Sequence, residues 1–164
     1  MGLKMAYHDD LLRQALQLVH QEPKKPKQAS LRRAVSTAYY VLFHLLIAEA
    51  VANWKQVELR AALSRAFDHR TMKAASNRIQ NTTEFPFRGE NPSVVESLRR
   101  IARTFAQLQQ ERHTADYDIA TFWTRTEALA QVKSVERAFT EWRVIRSEPA
   151  AQQFLVLLIA RKRD

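Results

Sequence analysis

Apolar residues recur at helical spacing along most of this chain, and the longest apolar run lies near its beginning. In the stretch 38–48, AYYVLFHLLIA, only His44 interrupts the apolar sequence. Apolar residues at three- and four-residue spacing lead into it: Leu31, Ala34, Val35 and Ala38. A helix that is apolar on every side is either a membrane span or the buried central helix of a bundle. A span needs about 20 apolar residues, and Glu49 ends this run early. We therefore expect a buried helix over about 30–54 and no membrane association.

Other apolar stripes predict the helices that cover this central one. The first is expected over about 9–20, with Asp9 or Asp10 as its cap, and the third over about 57–80. Two S/T-x-x-E capping boxes, Ser93 with Glu96 and Thr124 with Glu127, predict the starts of two more helices. A short last helix is expected after 147–149. The pattern predicts an all-α fold: a single domain over 1–164, an up-and-down helical bundle of four to five long helices plus a short C-terminal helix.

The amino-acid composition excludes several kinds of functional site. Only 2 glycines and 5 prolines occur in 164 residues, which favours few long helices over many short strands. There are 0 cysteines, so disulfides, thiolate metal sites and cysteine nucleophiles are excluded. The histidines lack metal-ligand spacing and no cofactor-binding motif occurs, so we expect no metal and no cofactor. A cytoplasmic location is expected. The net charge of +9 favours an anionic partner, either nucleic acid or an acidic protein.

One arginine stands out by its position. The apolar row of the fourth predicted helix is Val94, Leu98, Ile101, Phe105 and Leu108. Its next member is Arg112, followed by His113, Asp116 and Tyr117. Arg112 and Asp116 can form an i,i+4 pair. Two interpretations stay open: a structural ion pair with His113 on the surface, or a site in which Arg112 and His113 act on a phosphate.

Other positions carry similar alternatives. His44 is either a core or interface residue or part of a site, and His69, beside Asp68, is either a surface residue or a binding residue. Phe85, Phe87 and Arg88 could stack on a nucleobase or fold back over the end of the bundle. The lysine- and proline-rich stretch 21–29 is a PxxP ligand, a phosphate-contacting loop or a solvated connection between antiparallel helices.

Two segments carry a resemblance to a known family. The stretch 31–50, LRRAVSTAYYVLFHLLIAEA, and the stretch 110–118, QERHTADYD, resemble the HEPN superfamily of small helical bundles. The first contains a small residue, two tyrosines and Phe43-His44. The second contains the arginine motif, here beginning at Arg112. The resemblance covers most of the chain, from the second to the fifth predicted helix.

The resemblance implies a bundle that forms a homodimer. For active members it implies metal-independent RNA cleavage of toxin type by an arginine and a histidine, here Arg112 and His113, near the dimer interface. The other candidate residues, which we expect to contribute to binding, are Asp116, Tyr117, His69 and His44. The family's histidine follows its arginine by a few residues, but those positions hold Tyr117, Asp118 and Ile119 here. The alternative is a non-catalytic interaction module that works with a protein partner such as a nucleotidyltransferase.

Overall fold

Every regular element that the computed structural model describes is a helix, which confirms the all-α prediction. The described residues are 5–81, 85–87 and 89–161. Their helices, in chain order, are α1 (Tyr7–Val19), α2 (Gln28–Val51), a 3-10 turn (Val57–Leu59), α3 (Arg60–Ser64), α4 (His69–Gln80), α5 (Pro92–Tyr117), α6 (Arg125–Ile145) and α7 (Pro149–Leu157).

The chain divides into two compact units, each built from two stretches of sequence. The first unit contains Met1–His44 and Gln107–Arg137. It therefore holds α1, the first part of α2, the end of α5 and the first part of α6. The second unit contains Leu45–Ala106 and Ala138–Asp164, with α3, α4 and α7 entirely inside it. The two units are described separately below.

Helix α2 supplies buried residues to both units. Those in the first unit are Leu31, Ala34, Val35, Ala38, Tyr39, Val41, Leu42 and Phe43, and those in the second are Leu45, Leu46 and Ile47. The prediction of a buried helix is thus confirmed. Among the described residues, α2 is the one helix long and apolar enough to cross a membrane by length and composition, but 72% of its most apolar window is buried. A buried core helix passes the same test, so this is weak evidence for a membrane span.

The predicted single helix over 57–80 is wrong. The structure has a 3-10 turn, the five-residue α3 and a separate α4 in that range. Asp68 adopts an extended conformation, and its carboxylate accepts hydrogen bonds from the Thr71 backbone N–H at 2.8 Å and the Thr71 hydroxyl at 2.9 Å. An aspartate in this role starts a new helix. The buried ring of Phe67 precedes the break.

Two of the predicted helix starts also need correction. Helix α1 begins at Tyr7 after Ala6, which makes no side-chain cap, while Asp9 and Asp10 lie in the first turn. There they still interact favourably with the positive end of the helix dipole. At α5 the cap is Asn91, whose side-chain oxygen accepts from the Ser93 backbone N–H and hydroxyl, both at 2.9 Å.

The second predicted capping box is confirmed at the start of α6. The Thr124 backbone N–H donates to the Glu127 carboxylate at 2.8 Å, and the Glu127 backbone N–H donates to the Thr124 hydroxyl at 3.2 Å. The bond from the Thr124 N–H, together with a bond from the Thr124 hydroxyl to the same carboxylate at 3.0 Å, lowers the pKa of Glu127. The reciprocal pair satisfies two N–H groups that the first turn of a helix leaves without partners.

In the second unit, the loop before α5 turns its phenylalanines inward. Phe87 is buried, its ring centroid lies 5.4 Å from that of Phe85, and the Arg99 guanidinium lies 4.7 Å from the Phe85 centroid. The alternative in which these rings fold back is favoured over base stacking. Arg88 lies outside the described residues.

Candidate functional site

A guanidinium in the first unit holds the end of α5 in place. Arg32 of α2 donates to the backbone carbonyl of Ala115 at 2.9 Å, of Asp118 at 2.8 Å and of Thr121 at 2.5 Å. The last carbonyls of a helix lack partners within it, and a cation is favoured at that end. Arg32 therefore fixes the last turn of α5, which contains Asp116 and directly follows the turn of Arg112, together with the loop after the helix.

The same loop is fixed at its far end by a side-chain amide. The Gln28 amide nitrogen donates to the Trp123 carbonyl at 2.7 Å, and its oxygen accepts from the Trp123 N–H at 2.9 Å. Asp118 accepts from the Thr121 hydroxyl at 2.8 Å and from the Ala120 N–H at 3.0 Å, and these bonds, chiefly the one from Thr121, lower its pKa. The loop is therefore braced by specific polar contacts from α2 and from within.

Arg112 lies against the tyrosines of α2. Its guanidinium carbon is 5.2 Å from the ring centroid of Tyr39 and 5.7 Å from that of Tyr40. The side chain is only 16% exposed, and one terminal nitrogen lies 3.6 Å from the Asp116 carboxylate, which confirms the expected i,i+4 pair. The same nitrogen makes a long hydrogen bond of 3.4 Å to the Tyr40 hydroxyl. Cation–π contacts of this kind contribute about 0.5–2 kcal/mol each, more where water is excluded.

These contacts leave some N–H donors of the Arg112 guanidinium available to bind a ligand. An arginine has five N–H donors, and one terminal nitrogen makes both polar contacts described above. The Nε atom is buried without a hydrogen-bond partner in the part of the chain that the structure describes. Burial raises the pKa of Tyr39 well above its usual range, although the positive charge of Arg112 acts in the opposite direction. The ring under the guanidinium is therefore a neutral phenol at physiological pH.

A groove of about 590 Å³ runs between α1 and α2 in the first unit. Its lining residues are Tyr7, Leu11, Gln14, Leu18, Arg33, Ser36, Thr37, Tyr40 and His44. The His44 ring lies between two tyrosines: it meets Tyr7 edge to face with centroids 4.8 Å apart, and it stacks on Tyr40 at 6.3 Å. The groove thus combines aromatic faces with the exposed cation of Arg33.

Two residues of α2 link this groove to Arg112. Tyr40 lines the groove and contacts the Arg112 guanidinium with both its ring and its hydroxyl. Ser36 also lines the groove, and its hydroxyl donates to the Asp116 carboxylate at 3.3 Å. Groove and ion pair therefore form one continuous site, referred to below as the Tyr40 site.

Only some of the predicted site residues belong to the Tyr40 site. Arg112, Asp116 and His44 belong to it. His113 is exposed and lies beside Tyr117 instead, with ring centroids 5.0 Å apart. Arg112 and His113 thus have different neighbours, although they are adjacent in sequence.

His69 is the first residue of α4 in the second unit. No group of three or more histidine and acidic side chains suited to a metal ion occurs among the described residues. The assignments of His113, Tyr117 and His69 stay predictions.

Sequence reasoning does not identify Tyr40, Ser36, Tyr7 and Arg33 as site residues. In the sequence, Tyr40 is noted only as part of the segment that resembles the family, and no pattern marks Ser36. One signal is present: Arg33, Tyr40 and His44 recur at seven- and four-residue spacing, so they share one face of α2. The contact of that face with α1 cannot be read from spacing.

No protein-family model matches the chain, no curated protein matches its sequence, and no solved structure matches its fold.

Proposed function

We propose that this chain is a HEPN-like RNA-binding protein that holds RNA at the Tyr40 site. In this proposal it is a cytoplasmic homodimer whose helices form an up-and-down bundle, and it acts on RNA in the manner of a toxin. The observation that carries the proposal is the contact of Arg112 with Tyr39 and Tyr40. That contact brings together the two sequence segments in which the family resemblance lies.

Arg112 is suited to a phosphate oxygen. Its guanidinium is held by two rings and one carboxylate, so little side-chain freedom remains to be given up on binding. The second terminal nitrogen makes no polar contact with the described residues, and a guanidinium pairs with phosphate through two parallel N–H groups. The pair with Asp116, at 3.6 Å, is long for a charge-assisted hydrogen bond, which makes a phosphate an effective competitor for the guanidinium.

The groove is suited to an unpaired base. Tyr7 is largely exposed, its ring meets that of His44 edge to face, and His44 stacks on Tyr40, so three aromatic rings line the groove in contact with one another. Single-stranded RNA is bound by stacking of splayed bases on aromatic rings, together with cations that follow the backbone. Each stacked base contributes about 1–3 kcal/mol. Arg33 supplies the second cation, and the net charge of +9 draws RNA to the protein at long range.

The binding test is fluorescence anisotropy with a labelled single-stranded RNA over a salt series. We expect Arg112→Met to weaken binding and to reduce the slope of log K against log salt by about 0.7 for each phosphate that the variant no longer neutralises. Arg13→Met is the matched control, because Arg13 is exposed on α1 and does not line the groove. Equal weakening in the two variants would show that binding depends only on net charge and would remove Arg112 from the site.

The cleavage that the resemblance implies is tested with the same RNA in EDTA. Metal-independent cleavage needs an imidazole to move protons and a cation to stabilise charge on phosphorus. The pair that the resemblance implies is Arg112 and His113, while His44 is the imidazole in the groove. For an endoribonuclease we expect cleavage by the wild type and none by Arg112→Ala. Inactivity of His113→Ala but not of His44→Gln assigns the imidazole to His113, and the reverse assigns it to His44.

A second candidate function is a non-catalytic interaction module, and a specific observation favours it. Tyr117 is the last residue of α5, and Ile119 and Phe122 lie on the following loop, which Arg32 and Gln28 brace. Their side chains are 68%, 92% and 74% exposed. Exposed apolar side chains on a segment that is held in place are typical of a protein-binding surface. The partner in this case is a protein such as a nucleotidyltransferase. It is tested by isolating the tagged chain from its host: a partner that Ile119→Ser fails to retain supports the module, and a homodimer with nothing attached contradicts it.

A further inference from the structure

The second unit contains a cationic pocket that the proposed function does not use. The pocket has a volume of about 860 Å³ and lies between one face of α4 and the segment just after α7. Arg70, Ala74, Asn77 and Arg78 line it from α4, and Arg161 lines it from the other side. Its size is within the range of small-molecule sites.

The charges around this pocket are not balanced. The pocket is lined by three arginines and a single acidic residue, Asp68. That carboxylate is already engaged, because it accepts two hydrogen bonds from Thr71 and lies 3.7 Å from the Arg161 guanidinium. Arg70 and Arg78 have no carboxylate partner among the described residues. An excess of positive charge in a concave site concentrates anions there.

The spacing of Arg70 and Arg78 indicates what kind of anion fits. Arg70, Ala74 and Arg78 follow one another at four-residue intervals, so all three lie on the same face of α4. The small Ala74 side chain leaves room between the two guanidiniums. Their Cα atoms are about 12 Å apart along the helix axis, and the long side chains can converge on a group between them. The fork of an arginine matches the oxygens of a phosphoryl group.

We infer that this pocket is a binding site for a phosphoryl-bearing anion, held by Arg70 and Arg78 with the Asn77 amide as an additional hydrogen-bond donor. The anion carries more than one negative charge, since neither Arg70 nor Arg78 has a carboxylate partner among the described residues. The two sources of such a group are the backbone of an RNA and a free phosphate compound. The site lies within the second unit and does not depend on RNA binding at the Tyr40 site.

The test is calorimetric titration of the full chain with inorganic pyrophosphate at low salt. We expect Arg70→Gln and Arg78→Gln each to weaken binding by about tenfold or more, the effect typical of removing one hydrogen bond to a charged group. Arg143→Gln is the matched control, since this exposed arginine of α6 in the same unit lies outside the pocket. Ala74→Leu keeps every charge and costs the helix little, but it fills the space between the arginines, so we expect it to abolish binding.

Any one of three results would overturn the inference. The first is that the wild type does not bind pyrophosphate, and the second is that Arg70→Gln and Arg78→Gln lower the affinity no more than Arg143→Gln does. The third is that Ala74→Leu binds pyrophosphate as tightly as the wild type. A competing short single-stranded RNA separates the two sources: displacement of pyrophosphate identifies the RNA backbone, and failure to displace it identifies a free phosphate compound. Retention of pyrophosphate binding in Arg112→Met shows that this site stands apart from the proposed RNA site.

Discussion

Replacing Arg32 by Met should destabilise the protein more than the same replacement at any exposed arginine. The substitution keeps most of the apolar stem and removes three hydrogen bonds to the carbonyls of Ala115, Asp118 and Thr121. A hydrogen bond to a charged group contributes about 1.5–3 kcal/mol when desolvated. Two of these bonds are partly buried, and the one to Asp118 is exposed, so water replaces it at little cost. Because the other two bonds are only partly buried, each falls near the lower end of that range, and we expect the free energy of unfolding to fall by about 3–4 kcal/mol.

The adjacent residue supplies the control. Arg33 has the same charge and lies on the same helix, but it is exposed and lines the groove. Arg33→Met removes an equal charge and none of the three bonds. Urea denaturation followed by circular dichroism measures both variants. A change within about 0.5 kcal/mol is expected for Arg33→Met, as for most surface substitutions.

The two substitutions should also separate stability from binding. Arg33→Met should weaken RNA binding while leaving the free energy of unfolding unchanged. Arg32→Met should instead lower the free energy of unfolding and loosen the loop after α5. Amide hydrogen exchange in the loop 118–124 should quicken only in Arg32→Met, because local opening no longer breaks three bonds. Equal stability of the two variants would refute the reasoning that Arg32 holds the end of α5.

Three further outcomes follow from the contacts described above. Asn91→Ala should cost about 1 kcal/mol of unfolding free energy in thermal denaturation, and Ser93→Ala clearly less, because the Asn91 side chain caps α5. Above about pH 10 the unfolded state ionises Tyr39 while the raised pKa keeps the native phenol neutral. Stability should therefore fall with rising pH, and less steeply in Tyr39→Phe. The lowered pKa of Asp118, held chiefly by Thr121, means that its contribution is present above about pH 4 and disappears as the pH falls through the native pKa. Asp118→Asn should flatten that part of an acid titration of stability.

The amount of the fold that the sequence predicts depends on how local the determining contacts are. The burial of α2 follows from its uninterrupted apolar run, and the Thr124–Glu127 box follows from a three-residue spacing. The break before α4 does not show in the pattern, because the apolar row continues across it and neither Gly nor Pro marks it. What decides the break is the Asp68 side chain, which bonds to Thr71 and so favours a new helix start over continuation of the old one.

The candidate site, like the fold, is predictable from the sequence only where the contacts that form it are local. Spacing along α5 predicts that Arg112 ends an apolar row and pairs with Asp116, and both features are present. The partner that makes this a site is Tyr40, which lies 72 residues away in the chain. No local spacing encodes that contact. Residues adjacent in sequence, in contrast, do not share a helix face. The His113 side chain lies about 100° round the helix from Arg112, and its ring lies beside that of Tyr117.

The burial of Arg112 bears on what the pair with Asp116 does. A guanidinium that is 16% exposed has given up most of its hydration, and a single carboxylate at 3.6 Å with a long bond to Tyr40 replaces only part of it. Breaking such a pair from one side leaves a poorly compensated charge, which is more costly than the pair is favourable. Asp116→Asn should therefore destabilise the apo protein. A bound phosphate would restore the missing negative charge, so the same variant should bind RNA more tightly than the wild type. A purely structural ion pair predicts the drop in stability without the gain in affinity. The two measurements together therefore distinguish a phosphate-binding site from a structural ion pair.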